Sequence, residues 1–397
     1  MQTPIDQMKL SMSTMLLILS FLVLTACSVH KVTSTTPMPL TQQSMSTEKL
    51  HLLDIAVIPF KSDREPEEDI SSTMSTSARN AEGLFLANQL TSTIQKTSAW
   101  GAVRLIPDRE TIVDVYIEGK IINSDGEKLT LEISVSDISN EIWYSKTYTQ
   151  SVGNYAYKNN MEIYRDPFQN LFNSIANDLV EYRHKLSSVD AKNISTISKL
   201  RFARDFSPEA FSEHISQSSS GKLKIIRLPA ENDPILNKIS EIRERDYLFI
   251  DTMQGHYDGF SRRMVKPYQS WREATHEEIS SARELKRQSI TRTVGGIAAV
   301  IGGIMASGSA NGSAQSAGTV AIASGALLIK SGWEKRTELK IHEDVLVELE
   351  QSLEAEIQPR VIELENRKVT LTGNVGEHYG QWRSLLREIY KAEHGEI

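Results

Sequence analysis

The chain is nearly without sulfur chemistry of the reactive kind: among 397 residues there is one cysteine, Cys27. A single thiol forms no internal disulfide and supplies no thiolate pair for a redox couple or a structural metal site. A basic excess is missing as well. Asp and Glu number 51 against 44 Lys and Arg, a net charge of −7 with a pI near 5.8. That balance excludes the broad cationic face that nucleic-acid binding needs. Long hydrophobic runs are absent too. The apolar stretch from Met15 to Leu24 and the glycine-rich arms described below fall short of the roughly 20 residues of a spanning helix.

Catalytic signatures are also lacking. "HEEIS" from His276 has no second histidine to complete a zinc-protease motif, so Glu277 and Glu278 read as surface charges. "SSSGKLK" around Lys222 lacks the first glycine of a phosphate loop and the hydroxyl residue after the lysine. "GNVGEHYG" (Gly373 to Gly380) is neither that loop nor a dinucleotide fingerprint and reads as a break between helices. No glycine-flanked serine elbow occurs, and the nine histidines are scattered. The acidic loop Asp63, Glu65, Glu67, Glu68, Asp69 lacks the alternating spacing and ordered glycine of a calcium site. No catalytic residue, metal or cofactor is expected.

What is present begins at the N-terminus. Lys9 precedes an apolar core of about ten residues, the proportions of a secretory signal. The residues before Met8 are unlike an n-region, which leaves Met1 or Met8 as the start. "LTAC" (Leu24, Thr25, Ala26, Cys27) resembles the lipobox of bacterial lipoproteins. The resemblance implies cleavage before Cys27, a lipid on its thiol and, with Ser28 following, passage to the outer membrane. An ordinary signal peptide with an incidental cysteine is the alternative. Residues 1–26 are thus a signal peptide. Residues 27–47, rich in Ser, Thr, Pro and Gln, read as a flexible tether.

Residues 48–186 read as a small α/β domain, an antiparallel-rich sheet with two packing helices. "LLDIAVIPF" is a strand ended by Pro59, and "AEGLFLANQLTSTIQ" an amphipathic helix with Leu84, Ala87, Leu90 and Ile94 on one face. "GAVRLIP" is a second strand. "VDVYIEGKIIN" and "EKLTLEISVSD" form a hairpin through Ser124-Asp125-Gly126, because glycine accepts the positive φ of a tight turn. "EIWYSKTYTQ" follows Ser139-Asn140. A closing helix has Asp166 as N-cap, Pro167 at its first position, and Phe168, Leu171, Phe172, Ile175, Leu179 and Tyr182 as its buried stripe.

This β-α-β-β-β-β-α order, opened by "IAVIPF" and closed by "EIWYSKTY", resembles a group of periplasmic lipoprotein domains. The group comprises curli-secretion-type lipoproteins, lipoprotein activators of penicillin-binding proteins and the N-terminal domain of the Tol-associated propeller protein. Its members bind proteins or form rings, so the resemblance implies interaction rather than catalysis. Ser139-Asn140 departs from the group's usual Thr-Gly, a tolerable change because Asn also visits left-handed conformations.

Residues 187–233 read as a linker with a short helix capped by Ser207. Residues 234–397 read as an all-α region of long helices: one from Asp233-Pro234, another starting at Pro267, and a later segment with Leu339, Leu346, Leu349 and Leu353 near heptad positions. Tyr257, Phe260, Tyr268 and Trp271 read as core. Within the region, 294–332 is rich in glycine. Gly295 and Gly302 are seven apart, as are Gly296 and Gly303, and Gly318, Gly325 and Gly332 repeat the step. Seven residues are close to two helical turns, so each set shares a face that admits a neighbouring backbone. The polar centre around Asn311 makes the expected form a helical hairpin. Each interior glycine costs about 1 kcal/mol against alanine, so a close partner helix, lipid or both must offset it. The arms of about thirteen residues can dip into a bilayer or pack against like subunits; both readings stand. Arg283, Lys286, Arg287 and Arg292 at one base and Lys330, Lys335 and Arg336 at the other would meet anionic headgroups.

The expectation is therefore a non-enzymatic outer-membrane lipoprotein held by lipid on Cys27 and facing the periplasm. Its partners would be envelope proteins and other copies of itself, with no nucleic acid. An oligomeric export channel and a peptidoglycan-synthase regulator are the alternatives.

Overall fold

In the computed structural model the described residues are 38–43, 51–62, 76–153, 156–157, 166–306, 344, 347–348, 360–364, 367–371 and 375–394, with backbone alone at 76–77, 278, 281–306, 360–369, 375 and 394. The first strands, β1 (Ile55–Val57), β2 (Lys61–Ser62) and β3 (Val103–Leu105), are separated by helix α1 (Thr76–Gln95). Then come β4 (Val115–Ser124), β5 (Lys128–Asp137), β6 (Ile142–Ser151) and helix α2 (Gln169–Lys185). The sheet order is β3-β1-β4-β5-β6, with β2 also beside β4. β1 runs parallel to β3 and β4, whereas β4, β5 and β6 form long antiparallel ladders. The order expected from the sequence is the order found, apart from the two-residue β2.

Turn chemistry accounts for the ladders. Gly126 has φ of +75° and Asn140 +66°, conformations that glycine and asparagine adopt most readily. Asp125 Oδ1 accepts from the backbone N–H of Lys128 at 2.8 Å and of Glu127 at 3.1 Å, closing the β4–β5 turn. The α2 stripe is buried from Phe168 to Leu179, with Tyr182 partly so. The helix itself begins at Gln169 rather than Pro167. Asp166 is not its N-cap; it accepts from Phe168 N–H in the turn ahead of it.

Helix α1 corrects a second expectation. It is not amphipathic: Ala81 to Asn88 are buried without interruption. Over this stretch every face of α1 is covered by other elements. Strands β1 and β3 and helix α2 pack against it, and so does the long helix α5 (Pro234–Ala306). Between them lie α3 (Ser188–Phe206), α4 (Pro208–Phe211) and the hairpin β7 (Ile215–Gln217)–β8 (Leu223–Ile225). The segment read as linker is thus mostly helix. Ser187 caps α3 by accepting from Asp190 N–H, and Ile194, Ile197, Leu200, Phe202 and Phe206 are buried. Polar composition hid this, because the apolar residues of α3 follow a helical face among exposed polar ones.

The region expected to be all-α also contains the antiparallel pair β9 (Arg360–Leu364) and β10 (Arg367–Leu371), followed by helix α6 (Val375–His394). "GEHYG" opens α6 instead of breaking a helix. Leu339, Leu346, Leu349 and Leu353 lie outside the described residues, as does the acidic loop from Asp63 to Asp69.

Helix α5 starts where the sequence indicates, with Asp233 Oδ1 accepting from Ile235 and Leu236 N–H. It then continues for 73 residues straight through Pro267, where a second helix had been expected to begin. An interior proline costs about 3 kcal/mol. Around it, Met264, Tyr268 and Trp271 are completely buried, and each such side chain contributes about 1.5–3 kcal/mol. Burial outweighs the break. Tyr257 and Phe260 are buried on the same helix, so the aromatic residues are core, as read.

The helix is clasped to the sheet domain by a buried ion pair. Arg272 Nη2 lies 2.6 Å from Asp166 Oδ2 and Nη1 lies 3.2 Å from Oδ1. Replacing Arg272 with Met should leave the Asp166 carboxylate buried without its partner and lower stability by about 3–5 kcal/mol. Chemical denaturation of the full chain, comparing R272M with the R272M/D166N double variant, checks this: the double variant should recover part of the loss.

Candidate functional site

Two features join segments distant in the chain: the root of α5 and a strap laid along α2. At the root, Glu82 is fully buried on α1. It accepts from Tyr268 Oη and Ser124 Oγ, each at 2.5 Å, and pairs with Arg79 at 2.6 Å. Burial first, and then the Glu82 charge, raise the Tyr268 pKa well above its ordinary value, so the hydroxyl stays a donor. Burial opposes the Arg272 charge, but the Asp166 carboxylate outweighs it and lifts the guanidinium pKa. The turn at Gly126 lies directly beneath: a Cβ there would sit 2.2 Å from the Arg272 carbonyl oxygen. Gly126 therefore serves both the hairpin and the close approach of the helix.

Farther toward its start, α5 seals a sheet edge. Gln254 Oε1 accepts from Leu105 N–H at 2.9 Å and its Nε2 donates to Leu105 O at 2.8 Å. The amide takes the place of a neighbouring strand beside β3, which would otherwise present unpaired backbone groups. Arg104 on β3 makes a two-pronged contact with Asp251, at 2.6 and 3.1 Å.

The strap comprises residues 38–43, where the sequence reads as flexible tether. Asn170, Asn173 and Asn177 share one face of α2. Asn170 Oδ1 accepts from Met38 N–H at 2.8 Å, and Asn173 Nδ2 donates to Met38 O at 2.7 Å. Asn177 grips both sides, donating to Pro39 O at 3.0 Å and accepting from Thr41 N–H at 2.7 Å. Gln43 N–H donates to Thr97 O at 2.9 Å. The tether is therefore docked over Met38–Gln43. Each such bond contributes about 0.5–1.5 kcal/mol net, while ordering each backbone residue costs about 1–2 kcal/mol. Three asparagines spaced by three and four residues, beside the apolar stripe, are the strap's signal in the sequence.

Of the residues singled out from the sequence, Gly295, Gly296, Gly302, Gly303, Arg287 and Arg292 lie on the helical backbone of α5. Gly295 and Gly302 are about 10.5 Å apart along the axis on one face. Cys27, Gly318, Gly325, Gly332, Lys330, Lys335 and Arg336 lie outside the described residues, and with them the second arm of the hairpin. His276 is buried, with its ring 5.2 Å from Tyr157. Among the described residues no helix is long and apolar enough to cross a membrane.

No family model and no curated protein matches the chain. Among solved structures, a Xanthomonas campestris protein assigned to the family model DUF330 is 12% identical over 36% of this chain and 87% of its own, with a TM-score of 0.23. A dodecameric PelC from Paraburkholderia phytofirmans is 16% identical over 39% of this chain and 95% of its own, with a TM-score of 0.18.

The strap generates a direct test. Asn173→Ala with Asn177→Ala should free residues 38–43, raising amide hydrogen exchange in that segment at least tenfold while the β4–β5 ladder keeps its protection. Unchanged exchange in the segment would show that the asparagines do not hold it.

Proposed function

We propose that this chain is a non-enzymatic bacterial outer-membrane lipoprotein, facing the periplasm and acting as an assembly module of an envelope complex. The continuity of α5 carries the reading. The residues that lock into the α/β core and the heptad-spaced glycines, Gly295 to Gly303, belong to one unbroken helix. A contact made at the glycine face is thereby borne by the whole sheet domain, without a hinge at Pro267. The glycine helices pair in a hairpin and seat against a bilayer or like subunits, with Arg287, Arg292, Lys330, Lys335 and Arg336 at the headgroup level.

The strap supports the same picture. From a lipidated Cys27 to the docked Met38 there are eleven peptide steps, at most about 38 Å of extended chain. That length limits how far the domain stands from its anchor.

Cys27→Ala should leave the protein as precursor or release it from the membrane fraction. Normal fractionation of that variant would refute the lipid anchor while leaving the glycine face untouched. Gly302→Leu combined with Gly325→Leu should disrupt assembly, read as a smaller species on sizing of detergent-extracted protein. An unchanged oligomer would contradict close glycine packing.

A further inference from the structure

A separate feature lies away from the strap and the glycine face, where α3, α4 and α6 meet. A half-open cleft of about 750 Å³ there is lined by four arginines: Arg201 and Arg204 from α3, Arg383 and Arg387 from α6. In a chain with net charge −7, this gathering runs against the average composition.

The two helices contribute differently. Asp205 Oδ2 is shared by Arg383 at 2.5 Å and Arg387 at 2.9 Å, and Arg383 also reaches the buried Asp246 at 3.2 Å. The Arg383 guanidinium lies over the Phe202 and Phe206 rings, 4.8 and 5.2 Å from their centroids. Trp382 stacks on Phe249 at 4.8 Å and fixes α6 against α5. This wall is rigid. Arg201 and Arg204, by contrast, are half-buried and have no carboxylate within ion-pair distance among the described residues. Glu110 is the other acidic residue on the lining. Arg201 and Arg204 sit three residues apart, adjacent on the helix surface, where like charges oppose each other by a few tenths of a kcal/mol. Neither belongs to the hydrophobic core. The fold holds them close together, and no carboxylate among the described residues pairs with either.

We propose that this cleft is a binding site for a phosphate-bearing ligand. The guanidinium forks of Arg201 and Arg204 grip the phosphate oxygens two at a time, while the Asp205-braced Arg387 approaches from α6. The cleft volume falls in the range of small-ligand sites. Phosphate of this kind comes from a soluble phosphate compound or from a phospholipid headgroup.

The test uses the full chain extracted in non-ionic, phosphate-free detergent, titrated calorimetrically at low salt with pyrophosphate and with glycerophosphoglycerol. Wild type should bind one or both, and its unfolding midpoint should rise with the bound probe. R201Q/R204Q should bind at least tenfold more weakly and lose that rise, while its midpoint without probe stays the same or increases as the repulsion is relieved. Arg387→Gln, at an exposed position, gives an independent weakening if the double variant folds poorly. Binding of pyrophosphate alone assigns the site to a soluble compound, and binding of glycerophosphoglycerol assigns it to a headgroup; either supports the site. Failure of both probes up to about 10 mM, an affinity too weak for a built site, overturns it. Equal binding by wild type and R201Q/R204Q does so as well.

Discussion

The contact between Arg272 and Asp166 is the constraint on which the remaining architecture depends. Both groups are withdrawn from water, and an isolated charge in either place would be costly. Their pairing requires the middle of a 73-residue helix to lie against the turn that opens α2. It also requires the β4–β5 turn to have no side chain where the helix passes, which Gly126 satisfies. Glu82, Ser124 and Tyr268 then complete a buried polar seam one turn away. With that seam in place, α1 is covered on the side opposite the sheet, and Pro267 becomes tolerable inside a helix.

A second theme is the use of side-chain amides as substitutes for a neighbouring strand. Gln254 pairs with both backbone groups of Leu105 at one sheet edge. Gln150, on the strand at the opposite edge, donates to Pro167 O and accepts from Leu171 N–H. Asn170, Asn173 and Asn177 do the same for the strap. An amide carries a donor and an acceptor in the arrangement of a peptide group, so it satisfies extended backbone without adding a strand. At Leu105 the amide leaves no unpaired backbone group on that residue, while Gln150 satisfies the turn that opens α2. The strap is held by hydrogen bonds with only Leu40 as a partly buried apolar contact.

Charge is distributed unevenly for a reason that packing alone does not supply. Arg79, Arg104, Arg272 and Arg383 each have a carboxylate partner and an aromatic ring beneath them. These arginines are structural. Arg201 and Arg204 have no such carboxylate among the described residues, although both line the same cleft.

Much of the α/β domain was legible in the sequence because its signals are local. Asp125-Gly126 and Ser139-Asn140 dictate tight turns through the φ values that glycine and asparagine tolerate, and the stripe from Phe168 to Leu179 follows from helical spacing. Asp233 before Pro234 marks a helix start by its own hydrogen bonds. The misreadings share one cause. α3 was taken for linker, Pro267 for a helix start and residues 38–43 for free tether, each judged by composition or by a single residue's propensity. In each case a partner distant in sequence reversed the local preference: α3 is buried under α5, Pro267 sits between fully buried neighbours, and the strap finds the α2 asparagines. The sequence by itself determined the strand order, the turns, the lack of a second thiol and the seven-residue glycine period, since those depend on residues near one another in the chain. Only the tertiary structure decided that α5 is one helix clasped to the sheet, that the Gln254 amide pairs with Leu105 and that four arginines share a cleft. Those outcomes rest on burial and charge pairing between segments up to about two hundred residues apart, which no local periodicity encodes.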